Sequence, residues 1–387
     1  MRDLNERPTF DLVFKISKYC NLRCSYCYEF KELGVKDVMT LDHIERMLRN
    51  LPGREFFGTT TREDFRFIWH GGEPLLIKPS YYKSIGLLQQ EIIRDRSRYS
   101  NGAQSNLTVL TDEQLDFIAS GAFFDTIGVS LDVYGEDRID LMGRNSTSKT
   151  LKNMQRLRNR DVSFGAITVL TRSSLRYLKN TIRFFEALDI DFRVLPYHLE
   201  AFEEQTAAHG MTLAEITQAM CAVFDVWIRS DAELTIQPLA GYVPAAIRYI
   251  CGEKDYTYNK RAEENIFIIG TDGSVYGADV YTDDYRYGNL VEQPLEEIMQ
   301  SKNRLLKVAQ AERALETFCF KCKYYGACSG SWVADATPII AQSMAAEGCH
   351  IAHILDHIVD RFEEGGVDKI VLDRASSGIK AERQYAG

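Results

Sequence analysis

Residues Tyr19 to Tyr28 read Tyr-Cys-Asn-Leu-Arg-Cys-Ser-Tyr-Cys-Tyr, setting Cys20, Cys24 and Cys27 on one short stretch behind the apolar run Phe10 to Ile16. Three thiolates on a loop suit a cubane iron–sulfur cluster, because four irons held by three cysteines leave one iron with a free coordination position. The alternatives are a zinc knuckle or three reduced structural thiols. Zinc wants four closed ligands, and no fourth Cys or His lies close by. A second group, Cys319-x2-Cys322-x5-Cys328 followed by Cys349, supplies four thiolates and therefore a closed site. Four such ligands hold either a structural zinc or a fully ligated [4Fe–4S] cluster, and spacing does not choose between them.

Strand-like runs must carry the first group. From about residue 10 to 200, short apolar runs alternate with amphipathic stretches of helical length, the pattern of a parallel α/β sheet or barrel. Six strands are predicted: Phe10–Ile16, Phe65–Trp69, a weaker one near Ser97–Asn106, Thr126–Leu131, Phe164–Leu170 and Phe192–Leu195. Capping boxes open helices at Thr111-x-x-Gln114 and Thr212-x-x-Glu215. Met211 to Ser230 carries an apolar stripe, and Cys221 beside it reads as a small core residue. After the second strand comes His70-Gly71-Gly72-Glu73, where two glycines allow close backbone approach to a ligand and Glu73 can accept from an ammonium. His70 reads as a strand-end hydrogen-bonding residue. Past residue 230 the pattern changes to a hairpin, Glu264–Ile269 and Ser274–Tyr276, with Asp272-Gly273 in the turn, and then a short helix with Pro294 at its first position.

At 387 residues and 45% hydrophobic, the chain can bury a large core, and about two domains are expected. No apolar run reaches membrane-spanning length and no secretion leader is seen, so a cytoplasmic protein with no membrane association is expected. Nine cysteines in that compartment argue for metal or redox work rather than disulfides. A formal charge of −9 argues against nucleic acid, which requires a basic face.

The Cys-x3-Cys-x2-Cys spacing with aromatic Tyr26 before the last cysteine resembles the radical S-adenosylmethionine (SAM) superfamily. The four later cysteines resemble that superfamily's SPASM extension. The resemblance implies a partial (β/α)6 TIM barrel over residues 1–235, a SPASM-like iron–sulfur extension with a β-hairpin over 236–350, and a C-terminal helix with a weakly ordered tail over 351–387. It implies SAM as cofactor with two [4Fe–4S] clusters: Cys20, Cys24 and Cys27 hold the SAM-binding one, and Cys319, Cys322, Cys328 and Cys349 the auxiliary one. By the same resemblance Gly71, Gly72 and Glu73 contact the amino group of SAM, Asn106 shapes its pocket, and in Ser130-Leu131-Asp132 Ser130 lies near SAM and Asp132 near substrate or a following arginine. Arg144 takes the SAM carboxylate.

The chain departs from the family's two-auxiliary-cluster pattern. Cysteines expected at positions 278 and 332 are Ala278 and Trp332, leaving only Cys251. One auxiliary cluster is therefore predicted. The segment Gly273 to Asp279 resembles that of anaerobic sulfatase-maturating enzymes in which an aspartate takes a proton from substrate, so Asp279 is the candidate catalytic base. The activity implied is a radical SAM oxidoreductase maturing a ribosomally made peptide (a RiPP), forming a side-chain cross-link such as a cyclophane. Formylglycine formation on a sulfatase and peptide epimerisation, with Cys251 as hydrogen donor, are the alternatives. A non-catalytic binding protein with two structural metal sites is the reading of another class. Expected partners are a peptide or protein substrate, a reductase such as flavodoxin or ferredoxin, and a separate leader-binding protein if a leader exists.

Overall fold

A computed structural model of the chain describes residues 9–51, 64–198, 208–230, 232–278 and 285–365. The six predicted strands are present as β1 Thr9–Ser17, β2 Asp64–Gly71, β3 Tyr99–Ser105, β4 Thr126–Ser130, β5 Phe164–Leu170 and β6 Phe192–Pro196. Each pairs in parallel with the next, and helices join them, giving the partial barrel expected from the sequence. Alternation along each strand decides what faces what. Phe10, Leu12, Phe14 and Ile16 of β1 are all at most 2% exposed. Phe14 packs 5.1 Å from Trp69, which meets Tyr82 of the helix Pro79–Ile92. The other face carries polar groups, including the Asp11–Arg66 ion pair of 2.8 Å, Lys15, Gln104 and Ser130. A packed face against the helices and a polar inner face place chemistry inside the barrel.

The extension joins this sheet. Strand β7, Ile236–Gln237, pairs with β6 at one edge, whereas β8, Ile266–Ile269, pairs in parallel with β1 at the other. The predicted hairpin is β8 with β9, Ser274–Gly277, and β10, Gly288–Asn289, lies outside it. One sheet of ten described strands results, in the order β10-β9-β8-β1-β2-β3-β4-β5-β6-β7. The expected boundary at 235/236 therefore falls within a continuous sheet. Pro294 is the residue before the helix Leu295–Met299 rather than its first residue. The last helix, His350–Gly365, packs on Leu213–Trp227 and Leu239–Ile250. The tail beyond 365 lies outside the described residues. Among the described residues no helix is long and apolar enough to cross a membrane.

A buried charge network ties the extension together. Arg304, 1% exposed, donates from Nε to Glu264 Oε2 at 2.8 Å, and Lys260 lies 3.1 Å from Glu264 Oε1. Removing one partner of such a network strands a buried charge. Arg304→Met is expected to destabilise the folded protein by about 3 kcal/mol, seen as a lower apparent midpoint in thermal denaturation of the anaerobic holoprotein.

Candidate active site

The cysteine loop leaves β1 and is fastened at once to the end of β2. The amide of Gly72 donates to Ser17 O at 2.7 Å and that of Glu73 to Tyr19 O at 3.0 Å. Gly71 has φ +122°, and a Cβ there would come within 2.2 Å of Ser17 O; at Gly72 it would come within 2.2 Å of Tyr19 O. The two glycines thus make room for the backbone of the cysteine loop, where the sequence suggested room for a ligand. Gly72→Ala is expected to displace that loop and lower iron bound at the three-cysteine site in the anaerobically reconstituted protein, read by iron and sulfide analysis.

Glu73 is 1% exposed. Its Oε1 accepts from the Leu75 amide at 2.9 Å and Ser105 Oγ at 2.7 Å, and its Oε2 from the Asn106 amide at 2.7 Å. Burial raises its pKa, and these three donors oppose that rise. A carboxylate has about four lone-pair sites, so Oε2 retains room for another donor. Asn106 turns toward the cysteines: Nδ2 lies 3.7 Å from Cys20 Sγ and donates to Asn21 Oδ1 at 3.0 Å. His70 Nδ1 accepts from the Gly71 amide at 2.7 Å, and burial, with Lys15 nearby, lowers its pKa to about 3.

The end of β4 meets the loop from the other side. Tyr26 Oη donates to Asp132 Oδ2 and accepts from Arg138 Nη1 at 2.9 Å, while Asp132 Oδ1 accepts from the Val169 amide at 2.8 Å. Ser130 Oγ accepts from Gln104 Nε2 at 2.8 Å. Arg138 is 7% exposed, and its charge opposes the burial-driven rise of the Cys24 pKa. Only one of its five N–H donors is spent among the described residues. Arg144 is placed elsewhere: its side chain is 67% exposed and pairs with Asp140 at 2.9 Å. Sequence reasoning sought one arginine downstream of Asp132. Two stand there, and burial, which spacing does not report, separates them.

The three thiols are neighbours: Cys24 and Cys27 pack against the small cluster of Cys20, Leu22 and Leu33. Burial first, then the Glu73 charge, pushes Cys20 up to about 12, and burial pushes Cys27 up to about 11. Such thiols are protonated until iron arrives, so cluster assembly releases their protons. Among the described residues no three His, Cys, Asp or Glu side chains crowd as closely as around a single ion; corner ligands of a four-iron cluster stand further apart.

Cys319, Cys322, Cys328 and Cys349 also converge. Cys319 senses the other three, and burial pushes it up to about 12. A single π-helical turn, Leu315–Cys319, delivers Cys319. Burial raises the Cys349 pKa, and the Ala352 and Ile351 amides at the start of the last helix oppose that rise. Gly330, φ +80°, leaves space 3.1 Å from Cys319 Sγ that a Cβ would fill. These donors and that space fit a thiolate-bound cluster. Trp332 packs 3.9 Å from the ring of His350 and 5.9 Å from that of His198. Ala278 and Cys251 are exposed. Asp279 lies outside the described residues.

A family model described as the radical SAM superfamily matches residues 14–185, and one described as the SPASM iron–sulfur cluster-binding domain matches 261–323. The chain is 25% identical to a serine-type anaerobic sulfatase-maturating enzyme of Bacteroides thetaiotaomicron, covering 84% of this chain and 82% of that one. It is 22% identical to a cysteine-type enzyme of Clostridium perfringens, covering 84% and 88%. Among solved structures, native anSMEcpe with bound AdoMet and Cp18Cys peptide superposes with a TM-score of 0.71 at 20% identity, over 96% of this chain and 99% of that one. Streptococcus suis SuiB bound to S-adenosylmethionine gives 0.56 at 16% identity, over 84% and 72%.

Proposed function

This chain carries a radical SAM domain and a SPASM domain homologous to those of anaerobic sulfatase-maturating enzymes, and from that premise we propose that it oxidises a side chain of a peptide or protein. The two domains imply SAM and two [4Fe–4S] clusters, and the enzyme class is oxidoreductase. The observation that carries the proposal is the pairing of a three-thiolate loop, pinned by Gly72 and Glu73, with a separate four-thiolate site. The first leaves an open iron and the second leaves none.

Cys20, Cys24 and Cys27 would hold the cluster that binds SAM, and SAM would supply the radical chemistry for removing a hydrogen atom from an unactivated carbon. The residues around it position the cofactor and handle charge. Glu73 would hold the amino group of SAM, and the unspent guanidinium donors of Arg138 would hold its carboxylate, the part expected of Arg144. Tyr26 and Asp132 hold Arg138 in place, and Ser130 with Gln104 lines the polar inner face. Asn106 fixes the Cys20 side of the loop. Asp279 would take the proton lost as the substrate is oxidised, and a cluster held by the four cysteines would serve as electron acceptor.

Two products follow from this chemistry, each favoured by one observation. The curated relatives favour conversion of a Cys or Ser to formylglycine. Trp332 and Ala278, standing where the resemblance expects thiolates of a second auxiliary cluster, favour a side-chain cross-link in a ribosomally made peptide. Anaerobic turnover with a sulfatase-motif peptide, and separately with a small peptide encoded beside the gene, decides. Either product lacks two hydrogens or their equivalent, but only an aldehyde is captured by a hydrazide and only a cross-link blocks backbone fragmentation between the joined residues. Deoxyadenosine with neither peptide altered would overturn the proposed substrate class.

A further inference from the structure

A cluster on the three-cysteine loop would need an electron donor, and one face of the barrel is both basic and tipped with exposed apolar side chains. Asp140, Leu141, Met142, Gly143 and Arg144 form a tight turn: the Asp140 side chain accepts from the amides of Met142 at 2.9 Å and Arg144 at 3.0 Å, and the Gly143 amide donates to Asp140 O at 2.9 Å. This ordered turn holds Leu141 at 58% and Met142 at 75% exposure. Large apolar side chains presented together on a fixed turn mark a contact surface rather than scatter.

Beside the turn lies a cavity of about 300 Å³ whose walls include Thr108, Lys149, Lys152 and Arg156. Lys149 reaches Asp140 at 3.5 Å, so turn and cavity form one surface. The helix behind it, Thr147–Arg158, carries Lys149, Lys152, Arg156 and Arg158 and no acid. Lys152 has no ion pair among the described residues. Arg156 pairs with Asp112 at 2.5 Å, and Asp140 takes both Arg144 and Lys149, so the two acids leave a net positive face on a chain with formal charge −9.

The surface also touches the cluster loop. Thr108 Oγ1 accepts from Asn21 Nδ2 at 2.8 Å, and Asn21 Oδ1 accepts from Asn106, whose Nδ2 lies 3.7 Å from Cys20 Sγ. At the turn's base, Asp140 bridges to Leu22, whose amide donates to the same sulfur at 3.4 Å. Two short hydrogen-bonded routes thus run from the basic, apolar-tipped face to one thiolate.

We infer that this face, the Leu141–Met142 turn with Lys149, Lys152 and Arg156, is the docking site for an acidic ferredoxin that reduces the three-cysteine cluster. One electron leaves the donor's reduced iron–sulfur centre and enters that cluster; no bond breaks and no proton moves. The charges steer encounter and the two apolar side chains seat the complex. The inference rests on the radical SAM reading of the site.

The test is stopped-flow reduction of the anaerobic holoenzyme by reduced ferredoxin, beside reduced methyl viologen, in wild type, Lys149→Glu/Lys152→Glu and Leu141→Asp/Met142→Asp. At low salt both variants should be reduced by ferredoxin on the order of tenfold more slowly, with the salt dependence flattened in the lysine pair and viologen rates unchanged. Wild-type ferredoxin rates in both variants overturn the site. Equal losses with viologen overturn it too, because the damage would lie in the cluster. Intact ferredoxin rates with weakened peptide binding would assign the face to substrate and also overturn it. Wild-type enzyme that viologen reduces without SAM cleavage would break the radical SAM reading itself.

Discussion

Replacing Cys24 with alanine is expected to abolish reductive cleavage of SAM and to lower iron from about eight to about four per chain, whereas Cys221→Ala should leave both unchanged. The contrast follows from where the two thiols sit. Cys221 packs along the helix Leu213–Trp227 against the core, and burial pushes its pKa up to about 11. Cys24 is also raised by burial, but the Arg138 guanidinium opposes the rise, and Cys20 and Cys27 share the loop with it. Two thiolates do not hold a cubane against loss of iron, and without an open iron there is nothing for SAM to chelate. Mössbauer spectra and deoxyadenosine yield under dithionite check this directly. Cleavage at wild-type rate in Cys24→Ala would remove the cluster from the mechanism.

The strands were legible because a buried parallel sheet demands short apolar runs between amphipathic helices, and β5 matches its predicted span, Phe164–Leu170, residue for residue. The hairpin was legible from Asp272-Gly273, whose glycine has φ +86°. The way the extension docks was not legible. Ile266–Ile269 looks like any hairpin strand, and only the register of Phe14 with Ile269 shows it extending the barrel beside β1. The site divides in the same way. Cysteine spacing and the Gly-Gly-Glu triplet are local signals, so they could be read. The choice between Arg138 and Arg144 depends on which one the Tyr26–Asp132 pair buries, a contact between residues 106 positions apart, and no local pattern encodes it. For Gly71 and Gly72 the residue type was legible, and the structure adds a neighbour that sequence does not name, the cysteine loop itself.

The second large effect concerns the electron that leaves the substrate. Cys349→Ala should keep deoxyadenosine formation while oxidised product falls to background, and total iron should again drop by about four. Cys349 is the ligand most separated in sequence from the others, yet its charge couples to Cys319 and Cys328. Its sulfur is also the one to which the last helix turns its first free amides. Alanine there removes a ligand and leaves Ile351 and Ala352 donating to nothing. Hydrogen abstraction belongs to the three-cysteine site and continues. The substrate radical then lacks its acceptor and returns to starting material by hydrogen capture or is quenched by solvent-derived deuterium. Incubation in deuterium oxide separates these fates: deuterium in recovered peptide, with deoxyadenosine accumulating, is the expected signature of a cut electron exit. Full product yield from Cys349→Ala would mean that the four-cysteine site is structural and that the electron leaves by another route.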